Sequence, residues 1–119
     1  MMLPKPAYKR GDIILVIFPD SNLRTGKPRP ALVVQADDLR TGLAQVIVAM
    51  ITSRMSRANH PSRVPVWLST SEGRQSGLLT VSVVMTDNLA TIADTVIDRV
   101  IGSFPMAKVD AALRHTLSL

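Results

Sequence analysis

One arginine in this sequence stands between two prolines, in Gly26-Lys27-Pro28-Arg29-Pro30, with the apolar run Ala31-Leu32-Val33-Val34 directly behind it. A proline fixes its own φ and pushes the preceding residue toward extended backbone, so Arg29 is held at the mouth of a strand. The apolar run itself reads as a strand buried on both faces. A guanidinium held in this way stays charged at any working pH and offers a planar fork of donors that suits a phosphate. The same residue types also suit a solvated loop cation ahead of a core strand, and the segment alone leaves both readings open. Thr52 closes a second apolar run, Val46-Ile47-Val48-Ala49-Met50-Ile51. A hydroxyl at a strand end commonly caps a turn; beside Arg29 it would add a neutral donor to the same phosphate. Spacing along the chain does not say whether the two residues meet.

Arg54, Arg57 and Arg63 fall in a polar loop, 54–63, that also carries His60. Three cations at this density can track a nucleic-acid backbone or simply solvate a loop. His60 can act as a base, touch a phosphate, or sit exposed, and His115 reads as surface of the last helix. Other chemistries are excluded by pattern. Gly26-Lys27 lacks the upstream glycine of a phosphate-binding loop, and Pro28 stands where its hydroxyl residue would be. No Gly-x-Gly-x-x-Gly, Gly-x-Ser-x-Gly or His-Glu-x-x-His occurs. With no cysteine and two histidines out of ligand spacing, neither a thiolate nucleophile nor a metal site is expected, and no cofactor.

The 119 residues suit one domain, 1–119, and 46% hydrophobic residues exclude a disordered chain. Fourteen Lys and Arg against nine Asp and Glu give a net charge of +5, which favours a polyanionic partner, most economically nucleic acid. The only aromatic side chains of the Phe, Tyr and Trp types are Tyr8, Phe18, Trp67 and Phe104, too few for a base-stacking sheet. No stretch reaches membrane-spanning length and the N-terminus opens no signal-peptide core, so a cytoplasmic protein is expected.

The elements that must position these residues are short. Strands are expected over 13–18, 30–35, 43–52, 64–69, 78–85 and 95–101, separated by loops rich in turn residues. Pro65 puts the fourth strand at an edge or a bulge. A helix is expected from Gly102-Ser103-Phe104-Pro105 onward, with proline in its first turn. Its apolar face would be Met106, Val109, Leu113 and Leu117, with Asp110 and Arg114 as an outward i,i+4 pair. Many strands and one terminal helix point to a small, strongly bent sheet or barrel with the helix packed against it.

Taken together these segments resemble the MazF/PemK family of toxin–antitoxin endoribonucleases over nearly the whole chain. The resemblance is carried by Lys9-Arg10-Gly11-Asp12-Ile13, Arg29-Pro30-Ala31-Leu32-Val33-Val34, the strand ending Ile51-Thr52-Ser53, Asp87-Asn88-Leu89-Ala90-Thr91-Ile92, Ile101-Gly102, and Val109-Asp110-Ala111-Ala112-Leu113. It implies a mainly β chain with a C-terminal helix, a compact SH3-like β-barrel of the MazF/CcdB-like toxin fold, working as a homodimer. It also implies metal-independent, sequence-specific cleavage of single-stranded RNA to a 2′,3′-cyclic phosphate and a 5′-hydroxyl, held in check by an antitoxin with an acidic tail. Arg29 and Thr52 match the family's principal catalytic residues, and Asp87 is the candidate base. Arg24, Lys27, Ser53, Arg54, Arg57 and His60 are expected to bind substrate. The chain departs from the pattern at Arg24-Thr25, where many relatives carry Glu-Gln, at Met85, where some carry arginine, and at Ala90, the arginine of the later motif. Two other functions stand beside this one: a non-catalytic, CcdB-like protein-binding toxin, and a nucleic-acid-binding barrel without catalysis.

Overall fold

The computed structural model describes residues 7–17 and 27–119. Six strands and two helices follow one another as β1 (Asp12–Ile17), β2 (Pro28–Val33), β3 (Gln45–Thr52), β4 (Arg63–Val66), α1 (Ser71–Gln75), β5 (Ser82–Ala93), β6 (Ile97–Ser103) and α2 (Ala107–Leu117), with 3-10 turns at Met55–Arg57 and Asp94–Val96. The strands make one antiparallel sheet in the order β4-β5-β3-β2-β1-β6. Among the described residues β4 and β6 are its two edges and the sheet is not closed. Pro65 lies in edge strand β4, where a residue without an N–H costs the ladder least.

The central strands are apolar in both phases because each face of the sheet covers its own core. On one face Ile13, Leu32, Ala49, Ile51, Val64, Val66 and Val84 pack with Phe104, ahead of α2, and with Val109 and Ala112 along it. On the other, Ile14, Val16, Ala31, Val33, Val46, Val48, Ile92 and Ile97 pack against one another as the sheet curls. Neighbours Ala31, Leu32 and Val33 thus alternate between two cores, which makes β2 the doubly buried strand its composition suggested.

Irregularities do the bending. Between Ala49–Leu89 and Met50–Met85, β5 carries three extra residues, 86–88, against β3. Thr86 in that bulge donates from its N–H and its hydroxyl to Ser62 O (3.0 and 2.6 Å) and meets Thr116 Oγ1 of α2 at 2.7 Å. Against β1, β6 carries two single-residue bulges, at Asp98 and at Ile101. Such insertions raise local twist and re-aim side chains.

Several boundaries differ from the sequence expectation. β2 begins at Pro28 rather than Pro30, because Pro28 and Arg29 pair with Ile17 and Val16 of β1. The fifth strand runs on through Ala93 where only 78–85 was expected, since its polar second half pairs with β3. Gly102 and Ser103, expected to open the last helix, instead pair with Ile13 and Asp12. Phe104 N–H then donates to Gly11 O at 2.8 Å, and α2 starts only at Ala107, beyond Pro105. Asp110 pairs with Arg10 (2.6 Å) and not with Arg114. Arg10 also donates from Nε to Val34 O and from its backbone N–H to Asp37 Oδ1, so this N-terminal residue ties β2 to α2.

Candidate active site

The ladder pairs of β2 and β3 are Ala31–Met50, Leu32–Ala49 and Val33–Val48. Two steps further in the same register, Arg29 stands across from Thr52, but no pairing joins them. The prolines explain why. Val34 N–H donates to Ile47 O of β3, so even-numbered residues of β2 turn their amides toward β3. Pro28 and Pro30 share that phase and have no N–H to give. The ladder stops there, and the two strand ends part while Arg29 stays paired to β1 through Val16.

The opening leads into a cleft of about 550 Å³. Arg29, Pro30, Thr52, Ser53 and Arg54 lie along one side, Leu15 and Ile51 beneath, and Leu78, Leu79, Arg99 and Ile101 opposite. Thr52 Oγ1 accepts from Arg54 N–H at 3.2 Å, which fixes the turn leading into the 3-10 segment. Among the described residues the hydroxyl proton of Thr52 has no acceptor, and no carboxylate pairs with Arg29 or Arg54. Arg29, Arg54 and an uncommitted hydroxyl therefore face one partly apolar cleft, with the Arg99 guanidinium on its far wall. That chemistry suits a phosphodiester: fixed cations and a hydroxyl donor meet charge on its non-bridging oxygens.

The far wall was not foreseen from sequence, and α1 is the element that builds it. Thr70 caps this five-residue helix, its Oγ1 accepting from Gly73 N–H at 3.0 Å. The chain then passes through Ser76 and Gly77 in near backbone contact with β6. Gly77 has φ +72° and a Cβ there would lie 2.0 Å from Ile101 O, so only glycine fits. Ser76, fully buried, donates from Oγ to Gly73 O and accepts from Leu78 N–H. The Thr70 cap with Glu72 in the first turn was a readable signal, but a helix this short carries no apolar periodicity.

The remaining expected site residues lie elsewhere. Arg24 is outside the described residues. Lys27 is exposed just ahead of β2 and does not line the cleft. Asp87, in the β5 bulge, accepts from Arg63 at 2.8 and 3.4 Å. That bonding, with the charges of Arg63 and His60 adding to it, holds its carboxyl below the usual value. A carboxylate so stabilised is a weakened base, and Asp87 is not among the residues lining the cleft. Arg57 points to Met85, Nη1 to Sδ 4.0 Å, and its carbonyl accepts from Arg63. His60 accepts at Nδ1 from Ser62 N–H and stands edge-on to His115, 6.2 Å between ring centres. Arg57, His60, Arg63 and Asp87 thus form a second cluster around β4 and the β5 bulge. Among the described residues no group of three or more His, Cys, Asp or Glu is placed to hold a metal ion, and no helix is long and apolar enough to cross a membrane.

Comparison with known proteins gives a consistent picture. Residues 9–117 match the family described as PemK-like, MazF-like toxin of type II toxin–antitoxin system. Two curated relatives, Endoribonuclease MazF2 of Mycobacterium bovis and Endoribonuclease MazF6 of Mycobacterium tuberculosis, are each 33% identical over 105 residues, 85% of this chain and 88% of theirs. Among solved structures, a mycobacterial endoribonuclease in complex with its cognate antitoxin superimposes with TM-score 0.73 at 22% identity, covering 95% of this chain and 97% of that one. The Mycobacterium tuberculosis toxin MazF-mt6 gives TM-score 0.68 at 26% identity over 91% and 97%.

Proposed function

The chain belongs to the PemK-like, MazF-like toxins of type II toxin–antitoxin systems, and we propose that it acts as their endoribonuclease members do, cutting single-stranded RNA in the cleft that holds Arg29 and Thr52. The observation that carries this reading is the juxtaposition of those two residues, set across from each other by the β2–β3 register at the place where two prolines open the ladder. Two relatives of 33% identity bearing the name endoribonuclease support it.

In this reaction the ribose 2′-hydroxyl gives up its proton and its oxygen bonds the adjacent phosphorus. The bond from phosphorus to the 5′ oxygen breaks, and that oxygen takes up a proton. The products are a 2′,3′-cyclic phosphate and a 5′-hydroxyl. Arg29 meets the charge that builds on the non-bridging oxygens, and Thr52 donates a hydrogen bond to the same phosphate. Ser53 and Arg54, along the same side of the cleft, bind the strand. Asp87 takes no part in this scheme; its carboxylate serves Arg63. No metal-activated water is required.

The working unit is a homodimer of one-domain chains whose curled sheets take the SH3-like form, acting on cytoplasmic RNA. Its partner is an antitoxin whose acidic tail complements the arginines of the cleft. A net charge of +5 per copy and the antitoxin-bound neighbour support that assembly.

The test is incubation of the purified protein with mixed-sequence RNA in EDTA. Fragments ending in a 2′,3′-cyclic phosphate are expected. RNA binding without cleavage would select a nucleic-acid-binding role instead, and neither binding nor cleavage a protein-binding toxin.

A further inference from the structure

We propose that Arg99 on β6 is a phosphate-binding residue of the cleft, holding a phosphate of the RNA other than the one that is cut. The inference rests on the ribonuclease reading and adds to it a second anchor on the opposite wall.

The bulge at Asp98 is what puts Arg99 there. Ile97 pairs with Val16 and faces the core of the curled side, as Val16 does. Strict alternation would send Arg99 to that same face, two residues on. One inserted residue shifts the phase, so Arg99 pairs with Leu15 instead, and Leu15 and Arg99 both line the cleft. The second bulge, at Ile101, resets the pairing to Gly102–Ile13. Arg99 is thus aimed by the one insertion at Asp98.

Its position fits a neighbouring phosphate rather than the scissile one. Leu15 of β1 is flanked by Pro30 of β2 on one side and Arg99 of β6 on the other. Two strand spacings therefore separate Arg99 from the Arg29–Pro30 backbone, about 10 Å, with Thr52 one strand further away. Arg29, paired with Val16, and Arg99, paired with Leu15, also stand in opposite phases of the sheet, so a single phosphate does not reach both, but a strand of RNA running through the cleft that both line does. Arg99 is also uncommitted. It is 68% exposed and its partner is the adjacent, exposed Asp98 at 3.0 Å, a surface pair of the kind that contributes little and yields readily to a phosphate. Leu79, 93% exposed on the pinned loop beside it, gives the bound nucleotide an apolar surface.

The experiment measures binding of a mixed-sequence 2′-O-methyl oligoribonucleotide, which keeps the phosphates and lacks the attacking hydroxyl, across a range of salt concentrations. For Arg99→Ala the slope of log affinity against log salt should fall by about 0.7, the value for one single-strand phosphate contact. Arg99→Lys should recover that slope, and Lys108→Ala, a cation on α2 away from the cleft, should leave it unchanged. With cleavable RNA, Arg99→Ala should raise KM and leave the single-turnover rate at saturation close to wild type. An unchanged slope in Arg99→Ala overturns the proposal, as does a collapse of the saturated rate with KM preserved. Failure of the wild-type protein itself to bind would overturn the ribonuclease reading, and this one with it, and is told apart by that control.

Discussion

At the scale of single residues, Arg29 and Thr52 differ from Arg63, Asp87 and His60 in what they are free to do. Arg63 and Asp87 satisfy each other, and His60 spends one ring nitrogen on Ser62. Arg29 and the proton of Thr52 have no partner among the described residues. Removing one preorganised donor of this kind typically costs about 10²–10³ in rate. Arg29→Ala should lie at or beyond the upper end and Thr52→Ala toward the lower, measured as single-turnover cleavage. Arg29→Lys should recover little, because an ammonium lacks the planar fork. Asp87→Asn makes the contrast. It should leave the cleavage rate within a few-fold of wild type and cost no more than about 1 kcal/mol of stability. Because folding lowers the Asp87 pKa, its contribution is full above the ordinary carboxyl value of 3.8 and is lost as pH falls below it through the folded value. The wild-type advantage over Asp87→Asn in denaturant should vanish in that range. A Asp87→Asn enzyme that is folded but inactive would return Asp87 to the chemistry.

At the scale of elements, the cleft depends on how α1 and the following turn sit on β6. Gly77→Ala combines a left-handed backbone, costing about 1–3 kcal/mol for a non-glycine residue, with a Cβ 2.0 Å from Ile101 O. Its melting temperature should drop by several degrees, and cleavage should weaken even where the protein stays folded, because Leu78, Leu79 and Arg99 share that wall. A second tie joins the segment before β1 to the turn before β6. The Tyr8 hydroxyl donates to the buried carboxylate of Asp94 at 2.8 Å. Burial first, then the hydrogen bond and charge of Asp94, push the Tyr8 pKa up to about 12 from 10.0. A group whose pKa is raised on folding adds stability that is full below its unfolded value and lost as pH climbs through the folded one. Denaturant midpoints should therefore fall between pH 10 and 12, and Tyr8→Phe should flatten that part of the profile. It should also cost about 1.5–3 kcal/mol near neutral pH, as loss of a hydrogen bond to a charged group does.

At the scale of the whole molecule, large apolar side chains such as Trp67 and Leu119 face solvent in the single chain. A second copy that covers part of this surface would bring the charge of two chains, +5 each, to one RNA groove. Sedimentation at micromolar concentration should give a species of twice the 12.9 kDa chain mass. A monomer under those conditions would remove the shared groove and leave the cleft of one chain to act alone.

The sequence by itself determined the apolar strands, the terminal helix and the chemical character of the two residues at the cleft mouth. Those properties are local: β-branched runs, a helical spacing of Val109 and Leu113, and prolines that fix the backbone on both sides of Arg29. The family resemblance paired Arg29 with Thr52, but only the β2–β3 register sets them across from each other. That register is decided by which apolar phases of β2 and β3 share a core, a property of the folded sheet. The same holds for what was misplaced or missed. Asp110 lies four residues before Arg114, yet it pairs with Arg10, one hundred positions away. The polar half of β5 is a strand because β3 pairs with it. Arg99 reaches the cleft because of one inserted residue that no spacing rule reveals. Residue type and local backbone are written in the chain, whereas register, bulges and the meeting of distant strands follow from packing two cores against one sheet.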